Sequence, residues 1–219
     1  MDLRPISARA VILDWDGTLL DSLRADTRAY QTMFRALEIN FSERQLARHY
    51  SPDWYRVYRA AKVPRKKWDQ ADKLWAAAYR RENPRLLPAA RTVLRELSRS
   101  FLLGLVTSGD RTRVIRQLRH FGLQNFFSVC ICSEDAARRK PHPIPLLAAL
   151  RALKMSALDC VYVGDTPEDI EMARRAGVRS IGVIGPFPVS AKLKAARPGV
   201  LLKSIAELPG VLLSSAQTR

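Results

Sequence analysis

Cysteine and histidine are both scarce in this chain, with three of each in 219 residues. Cys130, Cys132 and Cys160 are odd in number, form no CxxC pair, and stand in or beside apolar runs ("FFSVCIC", "DCVYVGD"). That excludes a disulfide framework or a zinc cluster, and the three read as buried core thiols. Long hydrophobic runs are missing too. Nowhere do 18 apolar residues follow one another, and the one apolar run near the start, Ala10 to Leu13, is too short for a secretory leader. The expectation is a cytoplasmic protein that makes no membrane contact. Repeats and low-complexity segments are also absent, and 47% hydrophobic residues exclude general disorder. The length suits one well-buried core with a small second module.

Acidic residues are the remaining shortage: 21 Asp and Glu face 37 Lys and Arg, a formal charge of +16. Such a field attracts anions, among them phosphorylated metabolites and nucleic acid. The basic residues are dispersed, however. Residues 22–85 hold 15 Lys and Arg against 7 Asp and Glu, and the densest run, "PRKKW", is short. No stripe of basic residues with interleaved aromatics recurs along one element, so a small phosphorylated metabolite is the favoured partner over nucleic acid. The oligomeric state stays open between monomer and homodimer.

Short apolar runs bounded by turn residues predict strands at Ala10 to Leu13, Phe101 to Val106, Phe127 to Cys132, Cys160 to Val163, Ile181 to Ile184 and Val200 to Leu202. Helical patterns such as "RTRVIRQLRHF", "PIPLLAALRALK" and "PEDIEMARRAG" lie between them, the last closed by Gly177. Strand and helix in alternation predict an α/β fold, a doubly wound parallel sheet of Rossmann-like form with helices on both faces. One interval breaks the rhythm. Residues 22–85 carry helical patterns and no strand, which predicts a helical insert whose tryptophans, Trp54, Trp68 and Trp75, fill its own small core. The expected division is a core of residues 1–21 and 86–219 with an insert of 22–85.

In an open parallel sheet, ligands sit beyond the carboxyl ends of the strands. Asp14 and Asp16 follow the first strand in "AVILDWDGTLLDS". Thr107, Ser108 and Gly109 follow the second, and Gly164 and Asp165 the fourth, with Asp169 one turn on. Lys140 lies in the loop "RRKPHP". Four carboxylates at one sheet edge repel one another unless a cation sits among them, and oxygen-only ligands select a hard one, Mg2+. Asp14, Asp16, Asp165 and Asp169 are the candidate metal residues, with Glu168 a competitor for the last place. Lys140, the Thr107 and Ser108 hydroxyls, and the amides at the start of the helix after Gly109 form a candidate anion cradle. A metal site beside an anion cradle points to phosphoryl transfer. In that chemistry Asp14 is the candidate nucleophile and Asp16 the candidate acid and base, one carboxylate attacking while the other handles protons. Asp21 and Asp26 read as helix-capping or solvated residues, and His142, before Pro143, as a turn residue.

The stretches "DWDGTLLDS", "LVTSGD", "RRKPHP" and "VGDTPEDIEMARRAG", in that order and spacing, resemble the four motifs of the haloacid dehalogenase superfamily. Within it the chain most resembles the phosphoglycolate phosphatase-like branch, and residues 22–85 resemble its C1-type cap. The resemblance implies a Mg2+-dependent phosphatase acting on a small phosphorylated metabolite through an aspartyl-phosphate. Asp14 would be the nucleophile and Asp16 the acid and base, its backbone carbonyl also reaching the metal. Thr107, with Ser108 and Gly109, would bind the phosphoryl group, Lys140 would bridge nucleophile and phosphate, and Asp165 and Asp169 would hold Mg2+. A phosphomutase of the β-phosphoglucomutase type and a phosphatase acting on nucleotide or nucleic-acid ends are the alternatives. Asp16 argues against a dehalogenase, because the dehalogenases of this superfamily lack that second aspartate. Two residues depart from the usual pattern of the branch: Trp15 stands where Phe is common, and Arg139 where Gly often precedes the lysine.

Overall fold

The computed structural model describes residues 8–213; residues 1–7 and 214–219 of the expected core lie outside them. Among the described residues eight strands and ten helices follow one another: β1 (Ala10–Leu13), β2 (Leu20–Asp21), α1 (Leu23–Ala36), α2 (Glu43–His49), α3 (Trp54–Ala60), α4 (Trp68–Tyr79), β3 (Arg85–Leu86), α5 (Ala90–Leu97), β4 (Leu102–Val106), α6 (Arg111–His120), β5 (Val129–Ile131), α7 (Ile144–Leu153), β6 (Cys160–Gly164), α8 (Pro167–Arg175), β7 (Arg179–Val183), α9 (Ser190–Ala195), β8 (Val200–Leu202) and α10 (Leu208–Leu213). Six strands form one parallel sheet in the order β5-β4-β1-β6-β7-β8. This is the doubly wound α/β sheet that the alternating pattern predicts.

β1 occupies the middle of that sheet because it can be buried on both faces. All four of its residues are fully buried, and they alternate between two clusters, as side chains two apart on a strand must. Val11 and Leu13 pack with α5 and α6 residues such as Leu94 and Val114. Ala10 and Ile12 pack on the other side against Leu146 of α7 and Met172 of α8. Truncating Leu13 to Ala would cost about 2–5 kcal/mol at such a site. The register places Leu13 level with Leu105 of β4 and Val163 of β6, so the residues that follow these three strands emerge side by side.

Between β2 and β3 the chain is helical, and α1 to α4 enclose a cluster of their own around Met33, Phe34, Val57, Tyr58 and Trp68. Ser42 starts α2 with a capping box, its hydroxyl accepting from the Gln45 amide. β2 and β3 pair antiparallel at the neck of this insert, Leu20 opposite Leu86 and Asp21 opposite Arg85. Two-residue strands are too short to show a period, so the sequence does not announce them.

Other differences from the sequence reading are local. β5 covers only Val129–Ile131, because Gln124–Phe126 close a 3-10 turn and Phe127 falls outside the ladder. β7 starts two residues earlier than expected, at Arg179 opposite Val161. Cys130 is half-buried, not a core thiol, with its Sγ 3.6 Å from that of buried Cys132. Trp68 belongs to the insert's core, whereas Trp54 and Trp75 are half-buried at its margin and line the cavity described below. No helix among the described residues is long and apolar enough to cross a membrane.

Candidate active site

At the end of β1 the backbone continues the sheet for one residue, the Asp14 amide donating to the Val163 carbonyl at 2.9 Å, and this delivers a buried carboxylate to the sheet's edge. The chain then turns back tightly. The Leu19 and Leu20 amides both donate to the Trp15 carbonyl, and the Gly17 amide donates to the Leu20 carbonyl. Gly17 has φ +85°, a conformation that costs other residues about 1–2 kcal/mol. A Cβ there would also collide with Asp165 Oδ2 and Phe187. Trp15 is fully buried beneath the turn, its indole N–H donating to Gln117 Oε1 at 2.9 Å.

Lys140 is the cation of the site. Its buried Nζ stands 2.5 Å from Asp14 Oδ1 and 2.8 Å from Asp169 Oδ1. Asp169 is otherwise saturated: Tyr162 donates its hydroxyl at 2.9 Å, and Thr166 donates both its hydroxyl and its amide. Asp165 is the contrast. Thr18 reaches its Oδ1 at 3.4 Å, but its buried Oδ2 has no partner. Oxygens of Asp14, Asp165 and Asp169 lie within 4.8 Å of one another, so one ammonium faces three carboxylates. Burial pushes the Asp14 carboxyl up to about 7 against the pull of Lys140. Burial, reinforced by the neighbouring Asp14 and Asp169, drives Asp165 well above the usual carboxylate range. Three clustered carboxylate donors, one with a buried orphan oxygen, and no nitrogen or sulfur ligand fit a hard divalent cation such as Mg2+.

Asp169 rather than Glu168 joins this cluster. Glu168 is turned toward the insert, where it accepts from the Ser51 hydroxyl at 2.8 Å and from Arg56 at 3.4 Å. Asp16 also stands apart. Its carboxylate is absent from the three-acid cluster and is gripped by both amino groups of Arg113, at 3.0 and 2.7 Å. Burial alone would raise the Asp16 carboxyl, but the Arg113 guanidinium outweighs it and holds the group below the usual range. Arg113 further contacts Gln117 and the Tyr79 hydroxyl of the insert, tying the turn after β1 to α6 and α4.

On the anion side, Thr107 is buried and its hydroxyl accepts from the Gly109 amide at 3.0 Å, while the neighbouring Ser108 hydroxyl has no partner. Two of the amides at the start of the following helix are already engaged. The Arg111 amide donates to the Glu134 carboxylate and the Arg113 amide to the Asp110 side chain, so those donors are already consumed. His142 is a turn residue, its Nδ1 accepting from the Ile144 amide. Asp26 caps nothing: it lines the cavity, and burial pushes its carboxyl up to about 8.

These groups face a cavity of about 470 Å³ between sheet edge and insert. Its floor includes Asp14, Asp16, Thr107, Ser108 and Lys140, and its walls are largely aromatic side chains of the insert. A family model described as haloacid dehalogenase-like hydrolase matches residues 11–183, most of the chain and all of these floor residues. The chain belongs to that family. Among curated relatives of this haloacid dehalogenase-like hydrolase, the pyrophosphatase PpaX of Oceanobacillus iheyensis is 27% identical over 207 residues, 93% of this chain and 96% of that protein. A phosphoglycolate phosphatase of Yersinia pestis is 31% identical over 136 residues, 61% of this chain and 59% of that one. Among solved structures, a haloacid dehalogenase-like hydrolase of Streptococcus pneumoniae superposes with a TM-score of 0.83 at 22% identity, covering 93% of this chain and 98% of that one.

Sequence reasoning missed two features of this hydrolase. Arg113 looks like one more basic residue in "RTRVIRQLRH", yet it lies on the same helical stripe as Gln117, and both are buried. The signal was an arginine at a position where the helix's apolar face demands a partner for any charge. The aromatic wall of the insert carried no motif at all.

Proposed function

We propose that this protein is a Mg2+-dependent phosphomonoesterase acting on a small phosphorylated metabolite, with residues 22–85 serving as the cap over its substrate. The observation that carries the reading is the three-carboxylate cluster of Asp14, Asp165 and Asp169 around Lys140, beside the Thr107 and Ser108 hydroxyls. The relatives, named as a pyrophosphatase and a phosphoglycolate phosphatase, support phosphoryl hydrolysis without choosing the substrate.

Asp14 attacks phosphorus in line, forming an aspartyl-phosphate as the bond to the ester oxygen breaks; Asp16, held ionised by Arg113, must first take a proton from solvent and then passes it to the departing oxygen. Asp16 then takes a proton from the water that attacks phosphorus and frees Asp14. The Arg113 fork orients this carboxyl and favours its ionised form, the form that accepts that proton. Lys140 keeps Asp14 aligned and lowers the charge that an incoming phosphate dianion would meet. Thr107 and Ser108 supply hydroxyl donors to phosphoryl oxygens. Asp14, Asp165, Asp169 and the Asp16 carbonyl would hold Mg2+, which when bound neutralises charge on the phosphoryl oxygens.

The test is phosphate release from a panel of metabolite esters, including 2-phosphoglycolate, sugar phosphates and nucleotides, with Mg2+ and with chelator. Mg2+-dependent release that Asp14→Asn abolishes in folded protein is expected. An Asp14→Asn protein that keeps most of its activity would refute the assignment, and isomerised sugar phosphate without net release would make the enzyme a phosphomutase.

A further inference from the structure

The walls of the cavity are unusual for a site that would take a two-carbon ester. Four of the chain's six tyrosines and two of its four tryptophans line it: Tyr30, Tyr50, Tyr58, Tyr79, Trp54 and Trp75. These residues are arranged in stacks. Trp75 lies on Tyr79 with ring centroids 4.9 Å apart, and Tyr50 lies on Phe187 at 4.3 Å. The Arg139 guanidinium covers the Trp54 ring at 3.7 Å.

Several of the polar edges are already consumed. The Trp54 indole N–H donates to Asp72 at 3.0 Å and the Tyr58 hydroxyl to the same carboxylate at 2.8 Å, which fixes both rings. Tyr58 is buried behind the wall, and half-buried Trp54, with Arg139 over one face, offers a ligand its remaining apolar ring surface. Trp75 differs. Its indole N–H is buried and directed at the Asp26 carboxyl, so a donor and a carboxyl group stand together on this wall.

Size points the same way. The cavity of about 470 Å³ falls in the range of about 300–1,000 Å³ that takes drug-sized ligands, more room than a two-carbon phosphate ester needs. Stacked aromatic walls recognise flat rings through their quadrupoles as well as by burial.

We propose that the alcohol part of the substrate carries a flat aromatic or heteroaromatic ring, seated against the Trp54 and Trp75 wall while its phosphoryl group rests at Asp14 and Lys140. This rests on the phosphatase reading and adds the substrate class to it. Trp75 and Asp26 meet polar substituents at the edge of the ring.

The test compares benzyl phosphate with cyclohexylmethyl phosphate, esters of the same size that differ in aromaticity, alongside 2-phosphoglycolate, all with Mg2+. Benzyl phosphate is expected to exceed cyclohexylmethyl phosphate in kcat/KM by roughly three- to tenfold, and both to exceed 2-phosphoglycolate. Trp75→Leu should bring the benzyl to cyclohexylmethyl ratio toward one, while Trp75→Phe should keep it above one. Equal kcat/KM for the two ring esters, or preference for 2-phosphoglycolate over both, would overturn the ring proposal and leave the phosphatase standing. The wild-type comparison decides this even if a Trp75 variant fails to fold. No release from any ester by folded, Mg2+-loaded protein would overturn the phosphatase reading and this proposal with it.

Discussion

Replacing Arg113 with Met should destabilise the protein far more than the loss of a surface charge would. Arg113 donates twice to Asp16 from a side chain only 9% exposed, and Asp16 keeps 21%. Removing one partner of a buried pair strands the other charge, at a cost of about 3–5 kcal/mol. Solvent on the exposed side of Asp16 places this case near the lower end, about 3 kcal/mol. For a chain of this size that corresponds to a fall in Tm of about 6–12 °C. The assay is a double-mutant cycle by chemical denaturation at pH 7.5, with Arg113→Met, Asp16→Asn and the double variant. The double variant leaves no orphan charge and should recover most of the loss, giving a coupling of about 2 kcal/mol or more. The pH dependence has a definite sign. The pair holds the Asp16 carboxyl below its unfolded value, so its stabilisation is present above about pH 4 and lost as pH falls through the folded pKa. The Arg113→Met deficit should shrink accordingly in acid. Additive losses, or a single-variant cost below about 0.5 kcal/mol, would refute the reasoning.

Three further outcomes follow from the acid cluster. The Asp14 carboxyl, raised by burial to about 7 in the fold, makes chelator-treated protein lose stability as pH rises from about 4 through 7. Asp14→Asn should therefore be more stable than wild type at pH 8 without metal, with the gap closing toward pH 5; a gap that does not change with pH would contradict this. Mg2+ at a hundredfold excess over its Kd should stabilise the wild type by about 2.7 kcal/mol, read as a thermal shift that Asp165→Asn abolishes. Gly17→Ala combines a positive φ with a collision against Asp165 and Phe187 and should cost at least about 2 kcal/mol, measured by denaturation, and should weaken the Mg2+ shift. An alanine variant as stable as wild type would show that the turn can relax.

Much of this was legible because parallel strands buried on both faces must be nearly all apolar. In β1, β4 and β6 that run ends abruptly at the edge of the sheet where the site lies. Asp14, Thr107 and Asp165 stand out as the first polar groups after such strands. Spacing alone could not separate Asp169 from Glu168, because the choice depends on a capping box that points Asp169 inward and on Ser51 and Arg56 of the insert, which draw Glu168 away. Nor could it reveal that the start of α6 spends its amides on Glu134 and Asp110, since Glu134 arrives from 23 residues away. The sequence pattern puts Trp54 and Trp75 in the insert's core for a similar reason. A helical stripe identifies the face that is buried but does not say whether protein or cavity lies against it.

The pairing of β2 with β3 has a consequence for how such a chain can change over generations. Both ends of the helical insert meet where Asp21 faces Arg85, on strands about 5 Å apart. A different segment joined at those two points would therefore leave the register of the six-stranded sheet undisturbed. The covalent joins between the two parts are confined to that neck, so changes within residues 22–85 need not move the strands that carry Asp14, Thr107 and Asp165.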